Sequence, residues 1–181
     1  MLQDETEFEA FLQLLARERV QSYLEIGAAY GGSFLRVAER LPRPGGVAVA
    51  VDLPESENSE NMLYETGRYL LSIGLDVQVI FGDSTAPDVI AAARALGPYD
   101  AVFIDGNHTL EYVAQDWMNY APLARLVAFH DIAWKRRAAG AKIDVPEFWN
   151  WIKPRFKHVE FRSCPTGCNN GIGVLWQTRA T

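Results

Sequence analysis

Apolar residues along this chain change period again and again. Over residues 4–18, Phe8, Phe11, Leu12 and Leu15 recur at helical spacing, which predicts an amphipathic leading helix. Thr6 with Glu9 has the spacing of a capping box at its start. Val20–Ile26 then reads as a strand, the glycine-bearing stretch after it as a turn, and Phe34, Leu35, Val37 and Ala38 as a helix ending near Pro42. Val47–Val51 has no polar alternation, the mark of a strand covered on both faces, and it runs into Asp52. A polar, acidic segment, Pro54–Glu60, precedes a helix over about Asn61–Ile73. The unit then repeats: strand Val77–Phe81, helix Asp88–Leu96, strand Ala101–Ile104, helix Leu110–Tyr120, strand Leu126–Phe129.

Steady alternation of strand and helix implies right-handed crossovers and an α/β, mostly parallel sheet, with a ligand crevice outside the carboxyl ends of the strands. Beyond Asp131 the pattern changes to a basic loop, Trp134–Lys142, and a short aromatic helix, Val145–Lys153, whose Trp149 and Trp151 read as core. Two late strands, His158–Phe161 and Ile172–Trp176, can pair as an antiparallel edge hairpin, which makes about seven strands.

Composition narrows the class. A chain of 181 residues, 49% apolar and 12% aromatic, closes one core, so residues 1–181 are expected as one domain, with a helix over 1–19 and the core over 20–177. The formal charge of −6 argues against nucleic acid as a partner, because its binders carry a net basic surface. Trp134 to Arg137 could still draw an anionic acceptor, even RNA, although a solvated loop is the plainer reading. An acidic N-terminus and the lack of any bilayer-length apolar run suggest a cytoplasmic protein without a membrane partner. Cys164 and Cys168 could close a small loop or supply half a metal site, but in a reducing compartment they read as two free thiols.

Candidate chemistry gathers at the strand ends. Glu25-Ile-Gly27-Ala-Ala-Tyr30-Gly31-Gly-Ser33 spans a strand-to-helix turn, where glycines let backbone approach a ligand and helix amides can meet a carboxylate. Ala29 stands where a dinucleotide fingerprint would want its second glycine, which weighs against an NAD-dependent oxidoreductase. Asp52 closes the next strand and can accept ribose hydroxyls, or can equally cap a helix. Phe81-Gly-Asp83-Ser84 closes a third, with a carboxylate for an adenine amino group and an amide for the ring. Acids ending three strands, Glu25, Asp52 and Asp83, are expected to converge on one nucleoside-shaped crevice. Asp105 and Asp131 end two further strands and could share a hard divalent cation. His108 could instead serve as a general base, and both His108 and His130 could be hydrogen-bonded packing residues.

Taken in order, YLEIGAAYGGS, VAVDLP, FGDS, YDAVFIDGNHTLEYVAQDW, FHDI and GIGVLW resemble the class I S-adenosylmethionine-dependent methyltransferases of the Methyltransf_24 type, akin to small-molecule and sugar O-methyltransferases and cephalosporin hydroxylase-like proteins. The words span about residues 20–177. The resemblance implies a Rossmann-like seven-stranded sheet with a final antiparallel strand and helices on both faces, binding S-adenosyl-L-methionine. Donor contacts are implied for Glu25, Gly27, Tyr30, Gly31, Ser33, Asp52, Leu53, Asp83, Ser84 and Asp105, with Asp105, His108 and Asp131 catalytic. Asp105, Asp131 and His130 are the candidate ligands for Mg2+ or another divalent cation. Metal-dependent relatives often carry an oxygen-bearing side chain after the second aspartate, where this chain has Ile132.

The expected reaction is O-methylation of a small-molecule hydroxyl acceptor. Acceptor selectivity is expected in Pro54–Tyr69 and Trp134–Lys142, the longest insertions at the ligand edge. A non-catalytic nucleoside-binding or assembly subunit on the same fold is the alternative. A homodimer is a candidate assembly, through the leading helix and the late strands.

Overall fold

The computed structural model describes residues 4–134, 143–163 and 170–177. Helix α1 (Glu5–Arg17) leads, followed by β1 (Ser22–Ile26), α2 (Gly32–Ala38), β2 (Val47–Asp52), α3 (Glu57–Ser72) and β3 (Asp76–Phe81). Then come α4 (Pro87–Leu96), β4 (Tyr99–Ile104), α5 (Leu110–Tyr120), β5 (Ala124–Phe129), α6 (Val145–Ile152), β6 (Lys157–Phe161) and β7 (Ile172–Trp176). The basic stretch 135–142 and the pair Cys164 and Cys168 lie outside the described residues.

The seven strands form one sheet in the order β3-β2-β1-β4-β5-β7-β6. Neighbours from β3 to β5 are parallel, while β7 runs antiparallel to both β5 and β6. The late hairpin forms as expected, with its second strand inserted beside β5 and its first left at the edge.

Alternating strand positions split the core into two layers. On one face, Phe8 and Phe11 of α1, Phe34 and Val37 of α2, and Leu63 and Leu70 of α3 pack against Tyr23, Ala50 and Phe103. On the other, Val89 of α4, Val113 and Tyr120 of α5, and Phe148 and Trp149 of α6 pack against Leu24, Val49, Val102 and Phe129. Among the described residues no helix is long and apolar enough to cross a membrane.

Three local expectations change. The cap of α1 is Asp4, whose carboxylate accepts from the amides of Thr6 and Glu7, so Thr6 and Glu9 fall inside the helix. The acidic segment expected before α3 is largely its first turn, because the Ser56 hydroxyl accepts from the Ser59 amide and Ser59 answers in return. Trp149 is fully buried, but Trp151, two residues on, is 56% exposed with Arg155 stacked on its ring. Helical geometry turns positions two apart to different faces, so both could not be core.

Parallel register carries all of this to one edge. Ile26 pairs with Val51 and with Ile104, Asp52 with Phe81, and Ile104 with Phe129. The residues that follow these positions, namely Gly27, Leu53, Gly82, Asp105 and His130, therefore emerge side by side.

Candidate active site

The turn after β1 is set by close approach. At Gly27, with φ of +86°, a Cβ would stand 2.3 Å from the Asp105 carbonyl oxygen, so only glycine lets the turn lie against the tip of β4. Ala29 takes the left-handed conformation (φ +49°) without being glycine, and its N–H donates to Asp52 Oδ1 at 2.9 Å. Burial raises the Asp52 carboxyl, an effect that the Ala29 amide opposes. Gly31, at φ +80°, precedes α2.

Glu25 occupies the interior. Tyr23 donates to Oε2 at 2.6 Å and the Ser33 hydroxyl to Oε1 at 2.5 Å, and the residue has no exposed surface. Burial pushes its carboxyl up to about 8, against the pull of those two hydroxyls. Alternation puts Glu25 on the face of β1 that carries Tyr23, beneath α2, so its carboxylate ties α2 to the strand. The three strand-end acids thus share an edge without sharing a direction. Asp52 holds the turn, Glu25 is enclosed, and Asp83 faces Thr85 and Tyr112.

At Asp83, Oδ1 accepts from the Thr85 amide at 2.8 Å and its hydroxyl at 2.7 Å, and Oδ2 accepts from Tyr112 at 3.2 Å. The Thr85 amide leads in holding this carboxyl below the usual range. Beside it, the Ser84 carbonyl accepts from Tyr120 at 2.6 Å. Two large apolar side chains at this edge stay open to solvent, Tyr30 at 50% and Leu53 at 63% exposure.

The second group lies at the tips of β4 and β5. His130 Nδ1 stands 3.2 Å from Asp105 Oδ1 and 3.1 Å from Asp131 Oδ1, while His108 Nε2 stands 3.2 Å from Asp131 Oδ2 and 3.6 Å from Asp105 Oδ1. Burial works to raise the Asp105 carboxyl, yet the two imidazoles, His130 above all, hold it below its ordinary value. Contact with Asp105 raises His108. Burial opposes the charge on His130, but the flanking carboxylates outweigh it and push that imidazole up to about 10. Asp131 adopts φ +59°, a left-handed conformation rare for a non-glycine residue and of the kind that clusters at functional sites.

His108 Nε2, His130 Nε2 and Asp131 Oδ1 are buried without a well-formed hydrogen bond among the described residues. One ligand atom from each of Asp105, His108 and Asp131 can be chosen so that all lie within 4.8 Å of one another. Sequence reasoning put His130 with the aspartates. The fold makes His108 the third member of that group and sets His130 as a bridge between the two carboxylates.

Two acids escaped the sequence reading. Asp144 precedes α6 yet caps α5: its Oδ2 accepts from the Leu110 amide at 3.0 Å and its own N–H donates to the His108 carbonyl at 2.8 Å. Thr109, the residue at the start of α5, makes no side-chain cap. Asp116, inside the word YVAQDW, is fully buried in the middle of α5. Its sequence signal was a charged residue among the apolar positions of a helix.

The family model for a methyltransferase domain, Methyltransf_24, matches residues 24–132, from β1 to the residue after Asp131. The chain belongs to this methyltransferase family. Solved methyltransferases share the fold of this methyltransferase domain at low identity. An O-methyltransferase from Bacillus cereus, in complex with SAH, superposes with a TM-score of 0.69 at 18% identity over 97% of this chain and 82% of its own. The O-methyltransferase TomG from Streptomyces achromogenes, involved in tomaymycin synthesis and in complex with SAM, gives 0.70 at 20% identity over the same shares.

Proposed function

We propose that this methyltransferase uses S-adenosylmethionine to methylate a hydroxyl of a small molecule, with a divalent cation such as Mg2+ at the Asp105, His108 and Asp131 cluster. One observation carries the reading: His108 Nε2 and Asp131 Oδ1 are buried, lack a well-formed hydrogen bond, and converge with an Asp105 oxygen at the edge where the family's donor turn lies. Buried polar atoms in that state need a partner, and two carboxylates with an imidazole suit a divalent cation. The SAM and SAH of the structural neighbours support the choice of donor.

For the donor, the Gly27–Ser33 turn would take the amino-acid end, with Tyr30 and Gly31 beside it. Asp52 and Leu53 would take the ribose and one face of the ring. Asp83 and Ser84 would line the purine, and Asp105 would face the methyl group. The open apolar surfaces of Tyr30 and Leu53 fit a flat ligand lying across the strand tips.

S-Adenosylmethionine supplies an electrophilic methyl carbon whose bond to sulfur breaks as the bond to the acceptor oxygen forms. The chain has to hold the two reactants about 3 Å apart and in line, and to assist loss of the hydroxyl proton. A bound cation would lower the pKa of that hydroxyl as a Lewis acid. Asp105 and Asp131 fix the position, His108 completes the set in place of the side chain that Ile132 lacks, and His130 holds both carboxylates in register.

Asp105→Ala should abolish turnover on a panel of phenols, catechols and sugars while SAH binding stays measurable by calorimetry. Full activity in that variant overturns the assignment. Activity that persists in EDTA yet is lost in His108→Ala would move His108 from ligand to general base. Donor binding without turnover, with and without Mg2+, would favour the non-catalytic subunit.

A further inference from the structure

Glu7 stands in the first turn of α1, yet only 2% of it meets solvent. The Asp4 carboxylate holds its backbone, accepting from the Glu7 amide at 3.2 Å. Its own Oε1 accepts from the Ser163 amide at 2.7 Å and the Ser163 hydroxyl at 3.0 Å, and Oε2 accepts from the Gly171 amide at 2.8 Å. A buried carboxylate is costly unless donors meet its oxygens, and three meet this one. Ser163 follows β6 and Gly171 precedes β7, so a single side chain ties both arms of the late hairpin to α1.

The same stretch of hairpin backbone grips the tip of β5. The Gly171 carbonyl accepts from the Ile132 amide at 3.3 Å, and the Asn170 carbonyl accepts from the Ala133 amide at 2.9 Å. The approach leaves no room for a side chain: at Gly171, with φ of +99°, a Cβ would stand 3.0 Å from Ile132 Cγ1 and 3.2 Å from the Ala133 Cβ. Ile132 and Ala133 directly follow Asp131. On the other side of Asp131, the His130 amide donates to the Ile104 carbonyl at 3.2 Å.

Asp131 therefore lies between two anchors, β4 before it and the hairpin after it. Its left-handed conformation, at φ +59°, is costly for a non-glycine residue and persists only where the surroundings over-determine it. We propose that Glu7 is a positioning residue for the methyl-transfer site: through Gly171 and Ile132 it keeps Asp131 in the conformation that brings its carboxylate to His108 and His130. The inference rests on the role given to Asp131 in the proposed function. Glu7 itself touches no reactant, and a link from the leading helix to the tip of β5 gives α1 a part in the chemistry.

The test compares the wild type with Glu7→Ala by NMR and by steady-state kinetics. The 13Cα and 13Cβ shifts of Asp131 report its backbone conformation in the folded state and do not follow global stability. They should move in the variant, while those of Gly27 and Asp52, remote from the hairpin, stay in place. The kcat should fall about ten-fold or more with the donor KM within about two-fold, since a small misplacement at a reacting centre is felt in turnover. Unmoved Asp131 shifts overturn the proposal, and so does an unchanged kcat beside shifts that do move. A wild type that binds SAH and methylates nothing overturns the methyl-transfer reading instead, and the shifts alone then decide whether Glu7 holds Asp131. Should Glu7→Ala fail to fold, Glu7→Gln serves: it keeps the volume and an acceptor for one arm of the hairpin, but turns an amide group toward an N–H of the other. The same changes should appear there at smaller size, and their absence overturns the proposal.

Discussion

A carboxyl group closed between two hydroxyls behaves differently from one at a strand tip in water, and Glu25 shows the difference. Folded, it holds its proton to about 8, against the 4.5 that is ordinary for a glutamate carboxyl. Between those values the unfolded chain releases a proton that the folded chain keeps, so the stabilisation present below the lower value is lost as pH rises toward the upper one. Glu25→Gln, which keeps the shape without the titration, should lose less stability than the wild type between pH 5 and pH 8.5, as read by urea unfolding. Equal losses would mean that Glu25 does not titrate in this window. Asp116, raised in the same direction, is common to both proteins and cancels from the comparison. That an acid stands near the end of β1 was legible in the sequence. Its inward direction was not, because Tyr23 and Ser33, two and eight residues away in the chain, fix it.

Helix starts show how a motif can fit in spacing and still misplace a boundary. Thr6 and Glu9 have the separation of a capping box, but Asp4 is already extended and its carboxylate takes the first free amides. Asp4→Ala should cost about 1 kcal/mol in chemical denaturation, whereas Thr6→Ala, at an exposed position, should stay within about 0.5 kcal/mol. The reverse ranking would restore the original reading. Strands β2, β4 and β5 were legible because burial on both faces leaves an unbroken apolar run. Asp144 was not, because the helix whose start it marks differs from the helix it caps, and the two meet only after α6 packs against α5.

Sheet order decides what the strand tips can do together. With β1 flanked by β2 and β4, the turn at Gly27 touches Asp105 at the tip of β4, and β5 on the far side of β4 delivers His130 and Asp131 to the same rim. A ligand that binds only this assembled rim stabilises the entire fold by mass action. Saturation with SAH at about a hundred times its dissociation constant should raise the thermal midpoint by about 5–10 °C, the shift for a domain of this size. A midpoint that does not move by scanning calorimetry would remove the donor reading.

Period, composition and word order sufficed to give the alternation of strand and helix, the reversed last strand and the edge at which the chemistry gathers, since these follow from local side-chain pattern and chain connectivity. Which carboxylates face inward, and which histidine completes the group with the two aspartates, followed only from packing. Those outcomes depend on contacts between residues far apart in the chain, as when Asp144 fixes the turn of His108 or Tyr120 reaches the carbonyl of Ser84.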